Sequence, residues 1–123
     1  SINVNVDIIS DTVMELSVTG NSFSTHSYAN PPFIYTGRVF VDWGDNTGLV
    51  EYTGGQLSHT YASSSSYSVK IYGNITSIYE YCFCDCTGLT SITIPDSVTT
   101  LEEYCFYGCT GLTSITIPNG VTF

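Results

Sequence analysis

The sequence has almost no positive charge. Only Arg38 and Lys70 are basic, against eleven acids, and the formal net charge of the 123 residues is −9. Affinity for a phosphate backbone comes mainly from Lys and Arg displacing counterions, so nucleic acid is excluded as a partner class. Anionic membrane surfaces are disfavoured on the same ground. Long apolar runs are also missing: none approaches the roughly 20 residues of a membrane-spanning helix, and no membrane insertion is expected. The chain opens directly in strand pattern, "SINVNVDII", without a charged-then-apolar leader. This start is expected to follow a processing or trimming point. Helical periodicity is scarce as well, with no apolar stripe longer than two turns.

What the sequence does have is aromatic side chains and alternation. Ten tyrosines contribute to an aromatic content of 14%, a composition that suits pleated, half-buried strands. Up to Gly73 the apolar period is two. Ile2, Val4, Val6 and Ile8 share one face, as do Met14, Leu16 and Val18, then Val39, Val41 and Trp43, then Tyr67, Val69 and Ile71. Turn-rich clusters separate these runs: "TGNS", "ANPP", "WGDNTG", "TGG" and "ASSSS". Several short antiparallel strands with turns between them predict a mainly β fold and, over residues 1–73, a β-sandwich.

Beyond Gly73 the rule changes. Residues 75–97, "ITSIYEYCFCDCTGLTSITIPDS", align without a gap on residues 98–120, "VTTLEEYCFYGCTGLTSITIPNG", and a third copy opens at Val121. About two-thirds of the positions are identical, at a spacing of 23 residues. Self-similarity at this period predicts a solenoid over residues 74–123, with about two complete coils. Each coil is expected to hold a short strand at "SITI", a proline-marked turn and an irregular turn around "EEYCFYG", too short for an independent helix.

The run "CTGLTSITIPDSVTTLEEYCF" (Cys86–Phe106) resembles the BspA-type leucine-rich repeat family. The first part resembles PKD-like immunoglobulin-type domains through "DWGDNT" (Asp42–Thr47) and "HTYASSSSYSV" (His59–Val69). Two glycines of that pattern are replaced, by Asn46 and Ser65. Asn enters φ > 0 more easily than most residues. The pairing of these families implies a large surface protein.

Five cysteines are present, three of them in "YCFCDC". The repeat places Cys82 on Cys105 and Cys86 on Cys109, so four are repeat positions rather than a local cluster. The resemblance implies small inward residues there, and a free Cys behaves as a small apolar side chain. A zinc site needs four convergent ligands, usually in Cys-x₂₋₄-Cys pairs, and Cys-x-Cys-x-Cys is too tight to converge on one ion. Disulfides are disfavoured by the odd count and by ladder positions pointing the same way. No metal or cofactor is expected. Cys84 pairs with Tyr107, which predicts a position near the surface, as a reactive thiol or an intermolecular bridge.

Asp42 and Asp45 fit either a Ca²⁺-binding turn or caps on their own backbone amides, the second being the simpler reading. His59, in "SHTY", reads as a strand-end element, with Tyr61 placed to tie its hydroxyl to backbone. His26 has no partner suggested by spacing. Asn74-Ile75-Thr76 is a glycosylation sequon that also lies at the junction of the two patterns. Tyr28, Phe33, Tyr35, Tyr52, Tyr72 and Tyr79 fall in loops or on outward strand phases, and Tyr107 is exposed in the repeat. These tyrosines are candidates for a binding surface, because Tyr supplies large contact area at low entropic cost. Ordinary cross-strand pairing is the alternative.

No convergent acid–base pair or nucleophile elbow is evident, so an enzyme is not expected. The reading is a non-catalytic adhesion or protein-binding module at a cell surface or secreted, part of a larger repeat protein. The alternatives are a structural stalk and an accessory carbohydrate-binding domain. A protein or glycan ligand at a cell surface is the expected partner. Two coils cannot bury their own ends, so the sandwich is expected to cap the first coil through Ile71, Ile75 and Ile78. The other end, near Ile115, Ile117 and Val121, should be open apolar surface suited to self-association.

Overall fold

The computed structural model describes residues 12–122. The expected strand at Ile2–Ile8 lies outside them. Seven strands follow in order: β1 (Val13–Ser24), β2 (Phe33–Asp42), β3 (Leu49–Tyr52), β4 (Ser58–Ile78), β5 (Leu89–Thr93), β6 (Thr100–Leu101) and β7 (Ser114–Thr116). All belong to one open sheet in the order β3-β2-β4-β1-β5-β7, with β6 also paired to β4. The fold is therefore mainly β. Two facing sheets, as a sandwich would have, do not appear as separate sheets among the described residues.

Alternation is the reason these segments are strands. On β1, Met14, Leu16 and Val18 are buried while Glu15, Ser17 and Thr19 are not. Val39, Val41 and Trp43 are buried as a set on and just after β2. Val69, Ile71, Ile75 and Ile78 line the inner side of β4, each with no exposed surface. Gly73 lies between them because a Cβ there would meet the Val39 side chain at 2.6 Å. Together with Leu89, Ile92, Val98 and Leu101 these residues form one continuous apolar cluster that runs from β1 into the repeats. Ile71, Ile75 and Ile78 thus lie in the same cluster as the first repeat's apolar residues.

Two of the expected turns are strand instead. "TGNS" (Thr19–Ser22) lies inside β1, and "ASSSS" (Ala62–Ser66) lies inside β4. Thr19 pairs with Ser66 and Gly20 with Ser65, after which the register slips before Ser22 meets Thr60. The pairing partner satisfies these polar residues' backbone groups, so tertiary context overrides their turn preference. Gly20, at φ 128°, takes up the irregularity.

Strand direction changes with the sequence pattern. β1, β2, β3 and the body of β4 pair antiparallel, and β5 joins β1 antiparallel; among the repeats, β5 pairs parallel with β7 and the end of β4 parallel with β6. Both parallel strand pairs join repeat-equivalent residues, such as Ile92 with Ile115 and Ile78 with Leu101. The link continues outside the strands: Thr99 N–H donates to Thr76 O at 3.0 Å, and Thr122 N–H to Thr99 O at 2.8 Å. β4 itself runs unbroken through Gly73 and Asn74, where the period-two pattern gives way to the repeat.

Candidate functional site

The irregular turns of the repeat position the most informative side chains. In the first, the N–H groups of Cys82, Cys84 and Cys86 donate three residues back, to Tyr79, Tyr81 and Phe83, at 3.0–3.1 Å. The intervening N–H groups of Tyr81, Phe83 and Asp85 donate instead to Glu103, Cys105 and Tyr107 of the next repeat, at 3.2, 2.9 and 2.7 Å. This strict alternation gives the three cysteines a common backbone setting, which Tyr107 shares in the next repeat by donating to Tyr104 O at 3.2 Å. Residues 82, 84 and 86 share one kind of local turn, and their neighbours stitch the repeats together.

On the inner side, Cys82 is 0% exposed, Cys86 8% and Cys105 4%, while Cys109 is half-buried. All five thiols are free. The Cys109 thiol donates to Phe83 O at 2.9 Å and the Cys86 thiol to Ser24 O at 3.3 Å. Burial pushes the Cys86 and Cys105 thiols up to about 12 and holds Cys82 well above the ordinary thiol range. At neutral pH these groups are protonated and therefore weak nucleophiles and weak metal ligands. Phe83 and Phe106, also repeat-equivalent, stack beside them with centroids 5.5 Å apart. Cys84 is 6% exposed, deeper than expected, while its neighbour Asp85 is exposed.

On the outer side lies a column of tyrosines. Tyr28 meets Tyr81 edge to face at 5.6 Å, Tyr81 stacks on Tyr104 at 5.3 Å, and Tyr104 meets Tyr107 edge to face at 5.9 Å. Tyr28 is 75% exposed, Tyr104 51% and Tyr107 65%. Tyr81 and Tyr104 sit at φ 65° and 58°, a left-handed conformation costing about 1–2 kcal/mol for a residue with a Cβ. Both tight turns thus carry their rings at some cost to the backbone, Tyr104 exposed and Tyr81 half-buried beneath it.

Of the sequence-expected aromatics, Tyr28 and Tyr107 belong to this column. Tyr35, Tyr72 and Tyr79 are half-buried, and Tyr35 and Tyr79 pack against the core. Tyr52 and Phe33 are buried, at 7% and 1% exposure, with their rings 5.6 Å apart. Phe33 is on the same alternation phase of β2 as the buried Val39 and Val41, and it points inward with them. Burial pushes the Tyr52 hydroxyl up to about 12. Tyr81 and Tyr104 were the residues to find; their signal is the shared "EYCF" at repeat spacing.

The polar candidates are accounted for by local structure. Asp42 accepts from Gly44 N–H at 2.9 Å, and Asp45 accepts from the Thr47 hydroxyl at 2.6 Å, around an Asn46 at φ 65°. His59 stacks on Trp43 at 4.7 Å and its Nε2 lies 2.8 Å from Asp45. The Tyr61 hydroxyl donates to Trp43 O at 2.8 Å, the expected corner tie. Among the described residues, one trio of possible metal ligands lies within 4.8 Å: His26, Cys84 and Asp85. His26 Nδ1 accepts from Tyr28 N–H at 3.1 Å. The neutral ring therefore carries its proton on Nε2, which faces Asp85 at 4.0 Å. The Cys84 thiol is raised by burial and by its carboxylate neighbour Asp85. Both groups present protons to Asp85 rather than lone pairs to an ion.

The paired repeats match the family model described as BspA type Leucine rich repeat region (6 copies) over residues 58–123, more than half of the chain. The chain belongs to this family. The match begins at Ser58, the residue that opens β4. No family match accompanies the immunoglobulin-type resemblance of the first part. No curated protein and no solved structure matches the chain. BspA-type repeats suggest a protein-binding surface module, and leucine-rich repeats are generally non-catalytic. No helix among the described residues is long and apolar enough to cross a membrane.

Proposed function

We propose that this chain is a non-catalytic contact module of a surface or secreted repeat protein, and that its contact surface is the column Tyr28–Tyr81–Tyr104–Tyr107. The observation that carries the reading is a run of four tyrosines joined by three ring contacts, two of them (Tyr81 and Tyr104) in left-handed turns, on a chain of a protein-binding repeat family. Tyrosine favours such surfaces because it buries much area with few rotors. In this reading residues 74–123 are a short solenoid of two 23-residue coils within a longer series, and residues 1–73 a PKD-like spacer. The Asp45–His59–Trp43 clasp and the Tyr61 tie support that relation. Ile115, 38% exposed beside the half-buried Ile117 and Val121, is where further coils or a second chain would continue the stack.

A carbohydrate-binding role is the second reading. It is favoured by a hydroxyl-rich cleft of about 710 Å³ lined by Thr19, Asn21, Ser22 and Ser64–Ser66, which has no aromatic platform. A labelled tetramer screened against arrays of extracellular proteins and of glycans separates the two. Protein hits lost in the Tyr104→Ser/Tyr107→Ser variant are expected. Hits confined to glycans, or protein hits indifferent to that variant, would refute the contact surface.

A further inference from the structure

One end of the tyrosine column opens onto a cleft of about 170 Å³ lined by Tyr28, Ala29, Asn30, Pro31, Tyr79, Glu80 and Glu102. Its walls are fixed by backbone. Tyr79 N–H donates to Pro32 O at 2.9 Å, Glu102 N–H to Ile78 O at 3.1 Å, and Ala29 N–H to His26 O at 3.0 Å. Tyr79 and Glu102 are repeat-equivalent, so successive repeats place a ring and a carboxylate side by side. Glu80 and Glu102 are both exposed, and neither is in an ion pair among the described residues.

Among the described residues, no basic residue lines this cleft. Its two basic residues are Arg38 and Lys70. Arg38 is held by Glu51 through two hydrogen bonds, at 2.9 and 2.8 Å. Lys70 lies on β4, opposite Glu15 and Asp42. The two exposed carboxylates therefore meet solvent, and their acceptor positions are open to a cationic side chain of a partner.

We infer that this cleft, in which tyrosine rings and two unneutralised carboxylates converge, receives an arginine or lysine side chain of a basic polypeptide partner. The inference rests on the contact-module reading and names the chemistry of its partner. An aromatic face attracts a cation through its quadrupole, and a carboxylate beside it holds the N–H groups. Arg is favoured over Lys, because its planar guanidinium both stacks on a ring and forks onto a carboxylate. A hard metal ion is a poorer occupant, since Ca²⁺ needs six to eight oxygen ligands and two ring faces supply none.

The experiment is fluorescence anisotropy with labelled octa-arginine and octa-lysine peptides, with CaCl₂ as competitor, on the full chain. Octa-arginine is expected to bind more tightly than octa-lysine. Glu80→Gln/Glu102→Gln and Tyr28→Ala should each weaken octa-arginine about tenfold, the size of one such contact. Asp96→Asn, which removes an exposed charge elsewhere on the repeats, should change binding less than about twofold. Equal losses in Asp96→Asn and in the cleft double variant would overturn the inference in favour of diffuse attraction. An unaffected Tyr28→Ala variant, or displacement of the peptide by Ca²⁺ at a stoichiometry of one, would overturn it as well. Failure of the two readings is distinguishable. Array hits that depend on Tyr104 and Tyr107, without cleft-dependent peptide binding, refute only the cation site. Cleft-dependent peptide binding, with array hits indifferent to those tyrosines, refutes only the wider contact surface.

Discussion

The inner thiols are packing groups, and Cys82 tests this most sharply. It is fully buried, and no hydrogen-bond partner for its thiol is found among the described residues. Replacing it with Ala removes one sulfur, comparable to a methylene, and leaves a small void. The expected cost is about 1–1.5 kcal/mol. Replacing it with Ser nearly keeps the volume but places an unsatisfied hydroxyl in an apolar site, adding about 1–3 kcal/mol of desolvation. Cys109→Ser is the internal control, because its side chain already donates to Phe83 O at 2.9 Å and a hydroxyl can replace that donor. Its expected cost is under about 1 kcal/mol. In urea denaturation, with a slope of about 1–2 kcal/mol per molar, Cys82→Ser should fall roughly 1 M below Cys82→Ala in midpoint. A Cys82→Ser variant as stable as Cys82→Ala, or a Cys109→Ser variant worse than both, would refute the packing argument.

Other expectations follow from the same structure. A thiol is neutral when protonated, so raised folded pKa values stabilise the fold below the unfolded value and lose that contribution as pH rises toward about 12. With Cys86 and Cys105 both at about 12, stability should fall by about 3 kcal/mol per pH unit above roughly pH 9, and a flat denaturant midpoint from pH 8 to 11 would contradict this. Gly88→Ala would bring a Cβ to 2.3 Å from Thr19 O, where Thr19 N–H also bonds Gly88 O at 2.8 Å; a loss of about 2 kcal/mol or more is expected in thermal or urea melts. The Thr47 and His59 hydrogen bonds lower the Asp45 carboxyl, so the turn is held above the unfolded carboxylate value and loosens as pH falls through the lower folded one. Trp43 fluorescence should report that acid transition in the native chain and not in Asp45→Asn.

The repeat was the most legible part of the sequence. Two copies with the same residues at the same spacing can stack only in register, and the pairing of Ile92 with Ile115 needed no further information. The inward set on β1 was equally plain, since Met14, Leu16 and Val18 sit in uninterrupted alternation. Reading failed at the ends of strands. Phe33 follows directly on the turn cluster at Pro31-Pro32, yet it shares the inward phase of Val39 and Val41; Tyr52 ends a strand of four residues, too short to show its phase. The tyrosine column was half legible: Tyr28 and Tyr107 stand in obviously exposed places, but Tyr81 and Tyr104 adjoin cysteines that face inward. The left-handed φ values at both positions are invisible in a sequence of non-glycine residues.

β4 bears on how this unit could be transplanted. The strand that serves as middle partner for β1 and β2 also supplies, in Ser77 and Ile78, the template on which Thr100 and Leu101 are laid. A graft cut at the change of sequence pattern, after Gly73, would divide that strand and leave the first coil a stump to build on. Cutting before Ser58 would carry the template along but bare both its flanks. Recombination that respects this molecule has to move the antiparallel strands and the repeats as one inheritance.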